Sequence, residues 1–329
     1  MPRGGGGYSC GPMDRTTPPA GAGTMPAAAP PRVAAAIVTF QPPPRLADAA
    51  AAIVPQVERL YLLDNGSDPD GQARAEQAAS AAGAVRLAGE GNAGLAAAQN
   101  RLMEAAARDG FDWVLLLDQD SVARPGAVAA LLRALADAPA PDALGLLAAV
   151  NLEPGMAAGP AWVVSADGRA WRVARPGEGR ALLADLLFAP ASGSLVRVEA
   201  WRRAGGLRAG FFIDWVDVEF CVRLRRAGYG LAAVADALVD HELGALRAVR
   251  AGSRELAVTN HAAWRRRMQA RNAVWTLRLH GAAVPALRSW TLRILASTAA
   301  KVLLFERGRL RKLAAMAAGL AEGLRRPPD

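Results

Sequence analysis

The amino-acid sequence predicts an α/β fold, with a mostly parallel sheet that carries helices on both faces. The first observation is that short apolar runs alternate with longer helical segments over residues 33–150. The second is that polar clusters rich in Asp, Asn and Ser follow three of these runs directly. Because ligands bind at the carboxyl ends of parallel strands, the alternation that predicts the fold also predicts where a site would lie.

The strands are predicted where an apolar run ends at turn-forming residues. The run Val33–Phe40 is followed by Gln41 and three prolines, so a buried strand is expected to stop there. Val57–Leu63 ends at a turn cluster that begins with Asp64. Further strands are expected at Ala84–Leu87, Trp113–Leu117 and Leu144–Val150.

The segments between these strands have helical signals. A helix over 72–82 is expected to stop at Gly83, because glycine adopts the left-handed conformation that closes helices. Pro125 is expected to begin a helix that runs to Ala138, because proline is favoured in a first helical turn. Residues 151–190 are expected to form a variable loop or hairpin. Helices are also expected at Leu46–Ala52, from Gly91–Gly94 through Arg108, from Asp214 to Gly228 and around Trp264–Asn272.

Composition divides the chain into a leader, a body and a tail. Residues 1–31 are rich in Gly, Pro and Ala and are predicted to be a disordered leader. The body spans residues 32–244, in two halves at 32–150 and 151–244, and the tail spans 245–329. The chain has only two cysteines, which predicts a reducing compartment. No long apolar stretch lacks charge, so no spanning helix is expected.

Positive charge is concentrated in the tail. The whole chain carries +9, but residues 245–329 hold 17 basic and 4 acidic residues, a net charge of +13 that leaves −4 for residues 1–244. Leucines alternate with Arg and Lys over Leu287–Leu324, a pattern typical of basic amphipathic helices on anionic membranes. The alternative is that these helices pack on the body of the chain. A nucleic-acid partner is a third interpretation, but no recognised motif accompanies the arginines.

The polar clusters favour a nucleotide site without the common glycine-rich motifs. No Gly-x-Gly-x-x-Gly follows the first strand and no Walker lysine motif occurs, so an ordinary dinucleotide or P-loop site is disfavoured. Asp64 could accept hydrogen bonds from a uracil or thymine N–H or from a ribose, and Asn92 could bond the base edge. The alternative is that Asp64 and Asn65 shape a turn and Asn92 caps a helix.

Two carboxylates follow the fourth predicted strand. Asp118 and Asp120 are one residue apart, so strand alternation places them on the same side. Two like charges held together need a cation, and oxygen ligands suit Mg²⁺ or Mn²⁺. The alternative is a turn before Pro125, because a bare Asp-x-Asp is common.

Seven sequence blocks together indicate a family. They are Ala36-Ile-Val-Thr-Phe40, Leu63-Asp-Asn-Gly-Ser67, Gly91-Asn-Ala-Gly-Leu-Ala-Ala-Ala-Gln-Asn100, Leu117-Asp-Gln-Asp-Ser121, Ala191-Ser-Gly-Ser194, Phe212-Ile-Asp-Trp-Val-Asp-Val-Glu-Phe-Cys-Val-Arg223 and Asp240-His-Glu-Leu-Gly244. In this order they resemble the family 2 glycosyltransferases with the GT-A fold, and most closely the bacterial rhamnosyltransferases that act on surface polysaccharides. Arg271-Asn272 also matches that pattern, although the aromatic pair that usually accompanies it is absent.

The resemblance assigns roles to individual residues. Asp217 matches the catalytic base of inverting transfer, with Asp214 as the second choice, and His241 matches a position near the metal or diphosphate. Expected acceptor-binding residues are Asp214, Trp215, Glu219, Ser192 and Gly193. Expected donor-binding residues are Thr39, Asp64, Asn65, Asn92, Gly94, Asn100 and Asp118. Expected metal ligands are Asp120, Asp118 and His241.

The resemblance also implies a reaction. The expected activity is transfer of L-rhamnose from dTDP-rhamnose, with Mg²⁺ or Mn²⁺, to a lipid-linked glycan acceptor. The enzyme is expected in the cytoplasm, peripheral on the inner face of the membrane through its basic tail. Alternatives are a family member that uses UDP-galactose or UDP-galactofuranose, or a sugar nucleotidyltransferase. Enzymes of the latter class usually show a Gly-rich loop after the first strand, where this chain has Gln41-Pro-Pro-Pro44.

Overall fold

A computed structural model describes residues 29–153, 161–175, 182–241, 247–251 and 254–326. The leader predicted for residues 1–31 lies outside these ranges, apart from its last three residues. The strands are β1 Val33–Thr39, β2 Arg59–Asp64, β3 Val85–Leu87, β4 Trp113–Asp118, β5 Val122–Ala123, β6 Leu144–Leu152, β7 Trp162–Val164, β8 Arg172–Ala174, β9 Leu182–Leu183, β10 Ser194–Arg197, β11 Gly230–Asp240, β12 Arg247–Ala251 and β13 Arg254–Val258.

Helices separate most of these strands. They are α1 Leu46–Ile53, α2 Pro69–Ala81, α3 Leu95–Arg108, α4 Ala127–Ala136, α5 Val198–Arg203, α6 Val216–Arg226, α7 Ala263–His280, α8 Pro285–Phe305 and α9 Arg309–Arg325. Helix α2 begins three residues before its predicted start, because the Asp68 carboxylate accepts a hydrogen bond from the Gly71 amide at 2.8 Å and caps it. Pro69 then occupies the first helical position, where its missing N–H is harmless.

The main sheet has the order β3-β2-β1-β4-β10-β6-β11-β5, with β9 also pairing to β11. Strands β1 to β4 are parallel, and β11 is parallel to β6. Strand β10 runs antiparallel between β4 and β6. The prediction of a mostly parallel α/β sheet flanked by helices is confirmed.

Both faces of the sheet are buried, which explains why its strands are continuous apolar runs. In β1, Ala34 and Ala36 face one core cluster while Ala35 and Ile37 face the other. Helices α3 and α6 cover the first face, and α1, α2 and α4 cover the second. The sheet is therefore a two-sided platform whose accessible parts are its edges and strand ends.

The basic tail forms three helices and a hairpin, β12–β13, that the sequence patterns do not predict. Helix α8 packs Leu287 and Trp290 against Val218 and Val222 of α6. Helices α7 and α9 cross closely at Gly319, where a Cβ atom would lie 2.1 Å from the Arg267 carbonyl oxygen. Within the described ranges no helix is both long and apolar enough to cross a membrane.

Candidate active site

A cleft of about 840 Å³ opens at the carboxyl ends of β1 and β4. The loop before α6 and the start of α7 form its other walls. A cavity of this size suits a small-molecule ligand. The predicted site residues that line it are Asn65, Asn92, Gly94, Asp118, Asp120, Ser192, Asp214, Trp215, Asp217 and His241.

Strand register brings the first polar clusters together. Thr39 at the end of β1 lies opposite Asp64 at the end of β2, and its hydroxyl donates to the Asp64 carboxylate at 3.0 Å. The Ser67 amide and hydroxyl donate to the same carboxylate, at 3.0 and 2.5 Å. Thr39 is fully buried, and neither Thr39 nor Asp64 lines the cleft. Both shape the turn beside it, and a nucleotide contact of Asp64 stays a prediction.

Two asparagines join that turn to the start of α3. The Asn65 amide nitrogen donates to the Asn92 side-chain oxygen at 3.1 Å, and the Gly94 amide donates to the same oxygen at 3.1 Å. Gly94 has φ +86°, and a Cβ atom there would lie 2.5 Å from the ring of Phe212. Glycine is therefore required where the loop before α3 contacts the loop before α6.

Asn100 and Gly193, like Thr39 and Asp64, do not line the cleft. Asn100 donates to the Leu207 carbonyl at 2.7 Å, and its side-chain oxygen accepts from the Leu207 amide and the Trp201 indole. The polar atoms of Asn100 brace a loop behind α3, and its contact with the donor stays a prediction. Gly193 is also absent from the cleft lining and occupies a turn with φ +81° before β10.

Asp118, Asp120 and His241 can hold a metal ion. One ligand atom from each lies within 4.8 Å of the other two. Asp118 ends β4 and His241 follows β11, so two strands of one sheet deliver the group. Burial raises the pKa of Asp118; the nearby His241 opposes this and the Asp120 carboxylate reinforces it. Two carboxylates and an imidazole form a donor set that fits Mn²⁺ or Mg²⁺, and a cation would relieve the repulsion between the acids.

Two serine hydroxyls connect Asp118 to His241 by hydrogen bonds. The Ser192 hydroxyl donates to the Ser121 hydroxyl at 2.7 Å, and Ser121 lies 2.7 Å from Nδ1 of His241. The Asp118 amide donates to Ser192 at 3.0 Å. Ser192, which the sequence assigns to the acceptor, is 5% exposed at the cleft floor and positions the metal-site strand.

Asp217 lies in the first turn of α6 and faces the cleft. Its carboxylate accepts a hydrogen bond from the Val218 amide at 2.8 Å. Burial raises the pKa of Asp217 to about 6, with Asp214 and Asp118 acting in the same direction against that hydrogen bond. A carboxyl group with this pKa is mostly ionised at neutral pH yet holds a proton more readily than an ordinary aspartate, as a general base requires.

The loop before Asp217 has a strained backbone and is held by hydrogen bonds from α7. Phe212, Asp214 and Trp215 all have positive φ, between 61° and 64°, which is uncommon for non-glycine residues. The fully buried Asn272 of α7 donates from its amide nitrogen to the carbonyls of Phe211, Ile213 and Asp214, at 2.8 to 2.9 Å.

Arg265, also on α7, holds the same loop through an ion pair with Asp214. Its guanidinium donates to both carboxylate oxygens of Asp214, at 2.9 Å each. The family resemblance points to Arg271 and Asn272 of this helix, and no sequence signal points to Arg265. Other cleft residues that the sequence patterns do not single out are Phe40, Gln99, Gln119, Asn151 and Trp264.

Glu219 has a structural role. Its carboxylate is fully buried and accepts hydrogen bonds from Arg208 at 2.9 Å, from Arg223 at 2.7 Å and from His280 at 3.0 Å. Burial alone would raise its pKa, but the hydrogen bonds from His280 and Arg223 outweigh it and lower the pKa of Glu219 to about 2. The Glu219 carboxylate lies in the α6–α7 contact and does not line the cleft, and its contact with the acceptor stays a prediction.

Comparison with known proteins adds three findings. A family model described as "Glycosyltransferase like family 2" matches residues 30–266. In structure the chain is similar to S. aureus TarS residues 1–349 in complex with UDP-GlcNAc, at 11% identity over 88% of this chain and 81% of that chain, with a TM-score of 0.55. It is also similar to the mannosyltransferase PcManGT from Pyrobaculum calidifontis in complex with GDP-Man and Mn²⁺, at 13% identity over 91% and 88% of the chains, with a TM-score of 0.53.

These structural likenesses, at low identity, concern the fold. The chain spans 44% of the length of the whole S. aureus TarS chain. A sequence comparison with curated proteins gives no match.

Proposed function

We propose that this chain, which belongs to the family 2 glycosyltransferases and has the GT-A fold, transfers a sugar from a nucleotide-sugar donor with inversion at the anomeric carbon. One observation carries the proposal. Asp217, with its pKa raised to about 6, lines the same cleft as the Asp118–Asp120–His241 group. In an in-line displacement the attacking hydroxyl needs a base and the leaving diphosphate needs a cation, and this cleft contains a candidate for each.

Asp217 is the proposed general base. As the acceptor hydroxyl oxygen forms its bond to the anomeric carbon, the hydroxyl proton passes to the Asp217 carboxylate. The bond between that carbon and the diphosphate oxygen breaks, and its electron pair leaves with the nucleotide diphosphate. Arg265 and Asn272 keep the loop before Asp217 in the conformation that aims the base into the cleft.

The nucleotide diphosphate, which is the leaving group, is proposed to bind at the strand ends. Asp118, Asp120 and His241 would hold Mg²⁺ or Mn²⁺. The bound ion supplies charge neutralisation for the nucleotide diphosphate. The Pyrobaculum mannosyltransferase, whose structure is a complex with GDP-Man and Mn²⁺, supports a nucleotide-sugar and metal pair for this fold.

For the donor we propose dTDP-L-rhamnose, and for the acceptor a lipid-linked glycan at the cytoplasmic face of the membrane. The support is the sequence resemblance, carried chiefly by Leu117–Ser121 and Phe212–Arg223. Trp215 lines the cleft while its ring packs at a tilt on Trp290, and we propose its cleft side as the surface that the acceptor sugar contacts. UDP-galactose and UDP-galactofuranose are the competing donors.

The test is nucleotide diphosphate release by the full-length chain. Each sugar nucleotide is offered with Mn²⁺ and a lipid-linked acceptor, to wild type, to Asp217→Asn and to Asp137→Asn, whose carboxylate is exposed at the end of α4. We expect release by wild type and the control, and a loss of about 100-fold or more in Asp217→Asn. Release from no sugar nucleotide would contradict the proposed class, and release from a UDP-sugar alone would contradict only the donor.

A further inference from the structure

Helix α8 exposes large leucine side chains at its C-terminal end. One side of the helix is buried through Leu287, Trp290 and Val302. Leu303 and Leu304, in the last turn, are exposed by 47% and 65%. Adjacent exposed leucines at the end of a helix are typical of an interaction surface.

A further exposed leucine follows the turn between α8 and α9. Leu310, in the first turn of α9, is exposed by 76%. Every large leucine side chain in the described ranges that stands open to solvent belongs to α8 or α9. We call the surface made by Leu303, Leu304, Arg307, Arg309, Leu310 and Arg311 the tail apex.

The accessible charge of the tail apex has one sign. Arg307, Arg309 and Arg311 are all exposed. The acid of this segment, Glu306, is buried and paired with Arg266 and with Lys312, at 2.8 Å in the latter case. Glu306 therefore does not neutralise the exposed arginines.

We propose that the tail apex docks on the surface of an anionic lipid bilayer. Leu303, Leu304 and Leu310 enter the boundary between headgroups and acyl chains, and the three arginines contact the anionic headgroups. Charge complementarity selects this occupant. A second copy of the chain would bring the arginines against each other, and a nucleic acid would pair with the arginines but leave the leucines in water.

This surface is separate from the cleft, so the proposal does not depend on the donor or on the reaction. None of the tail-apex residues lines the cleft. Variants at the tail apex are therefore expected to keep nucleotide binding, which serves as the check that they fold.

The experiment is co-sedimentation of the full-length chain with vesicles. Vesicles of phosphatidylcholine are compared with vesicles that contain about 40% phosphatidylglycerol, a mixture chosen for its negative surface potential. We expect binding to the anionic vesicles, weakening with salt, and little binding to neutral ones.

Two triple variants separate the two contributions. In L303Q/L304Q/L310Q the leucines are lost with no change of charge, and in R307Q/R309Q/R311Q three charges are lost. The matched control R108Q/R133Q/R172Q loses the same charge from exposed arginines elsewhere. We expect both apex variants to bind anionic vesicles about 100-fold more weakly and the control to change little.

Three outcomes would overturn the proposal. Unchanged vesicle binding by the leucine variant would show that the leucines do not insert. An equal loss in the arginine control would show that net charge, not the tail apex, drives binding. The third outcome is evidence for a different partner. This would be either a wild-type dimer that dissociates in the leucine variant, or tight binding of duplex DNA without binding of vesicles.

Discussion

Replacing Asp217 by Asn is expected to abolish sugar transfer and, at the same time, to stabilise the fold. Burial in the cleft raises the pKa of this carboxyl group from 3.8 to about 6. The ionised form is therefore less favourable in the folded chain than in the unfolded chain. Asparagine has the same shape and no charge, so the substitution removes that unfavourable term.

The pKa sets the size and the sign of the effect. A rise from 3.8 to about 6 corresponds to roughly 3 kcal/mol when the group is ionised, and partial solvent access reduces this to about 1–3 kcal/mol. The folded state holds the proton more tightly than the unfolded state. The destabilisation is therefore absent below about pH 4, grows as the pH rises to about 6, and is constant above it.

Urea denaturation of the metal-free proteins measures this difference. Wild type, Asp217→Asn and the control Asp137→Asn are compared at about pH 7.5 and about pH 4. We expect Asp217→Asn to have the higher free energy of unfolding at neutral pH, a gap that closes in acid, and the control to follow wild type. If Asp217→Asn were equally stable or less stable at neutral pH, or if the gap did not depend on pH, the carboxylate would not be under electrostatic strain.

Three further measurements test the same arrangement. For wild type, kcat/KM should fall below about pH 6 as Asp217 takes up a proton, and a flat profile down to pH 5 would contradict its role as base. Glu219→Gln should lower the free energy of unfolding by about 3–5 kcal/mol, because it leaves Arg223 and Arg208 without the buried carboxylate. Since its pKa is lowered to about 2, the stability that Glu219 contributes is present above about pH 4.5 and is lost as the pH falls toward 2, so an acid titration of Glu219→Gln should lack that slope. Asn272→Ala should lower kcat more than about 10-fold while the nucleotide dissociation constant, measured by calorimetry, stays near that of wild type; equal losses in both would indicate general unfolding.

Most strands that pattern alone could predict are buried on both faces, although the largely exposed β3, Val85–Leu87, was also predicted. Val33–Thr39 and Trp113–Asp118 are unbroken apolar runs because helices cover both sides of the sheet. The direction of Ser194–Arg197 could not be predicted, since four residues carry no signal that separates antiparallel from parallel pairing. The strands Arg247–Ala251 and Arg254–Val258 were missed because each is short and contains charged residues, so neither forms an apolar run.

Some residues of the candidate site could be predicted from the sequence and others could not. Strand-end acids such as Asp118 and Asp120 can be located from the sequence, because burial does not require polar residues there. Asn100 and Glu219 lie in the same motifs as the cleft residues, but their side chains turn toward Leu207 and His280. Only the three-dimensional arrangement tells which polar residue of a motif faces the ligand and which braces the fold.

The arginines of the tail are placed in two ways, which support two separate proposed roles. Arg265 and Arg271 point inward, where Arg265 pairs with Asp214 and Arg271 donates to the Gly210 carbonyl at 3.0 Å. These cations hold the strained loop that precedes Asp217, so the proposed role of Asp217 as base depends on α7. Arg307 and Arg309 point outward beside exposed leucines, where they hold nothing within the described fold. Removing α8 and α9 would therefore disturb more than the proposed membrane contact, because α8 packs on α6 and α9 packs on α7. Point variants at the tail apex, and not truncations, can separate the two roles.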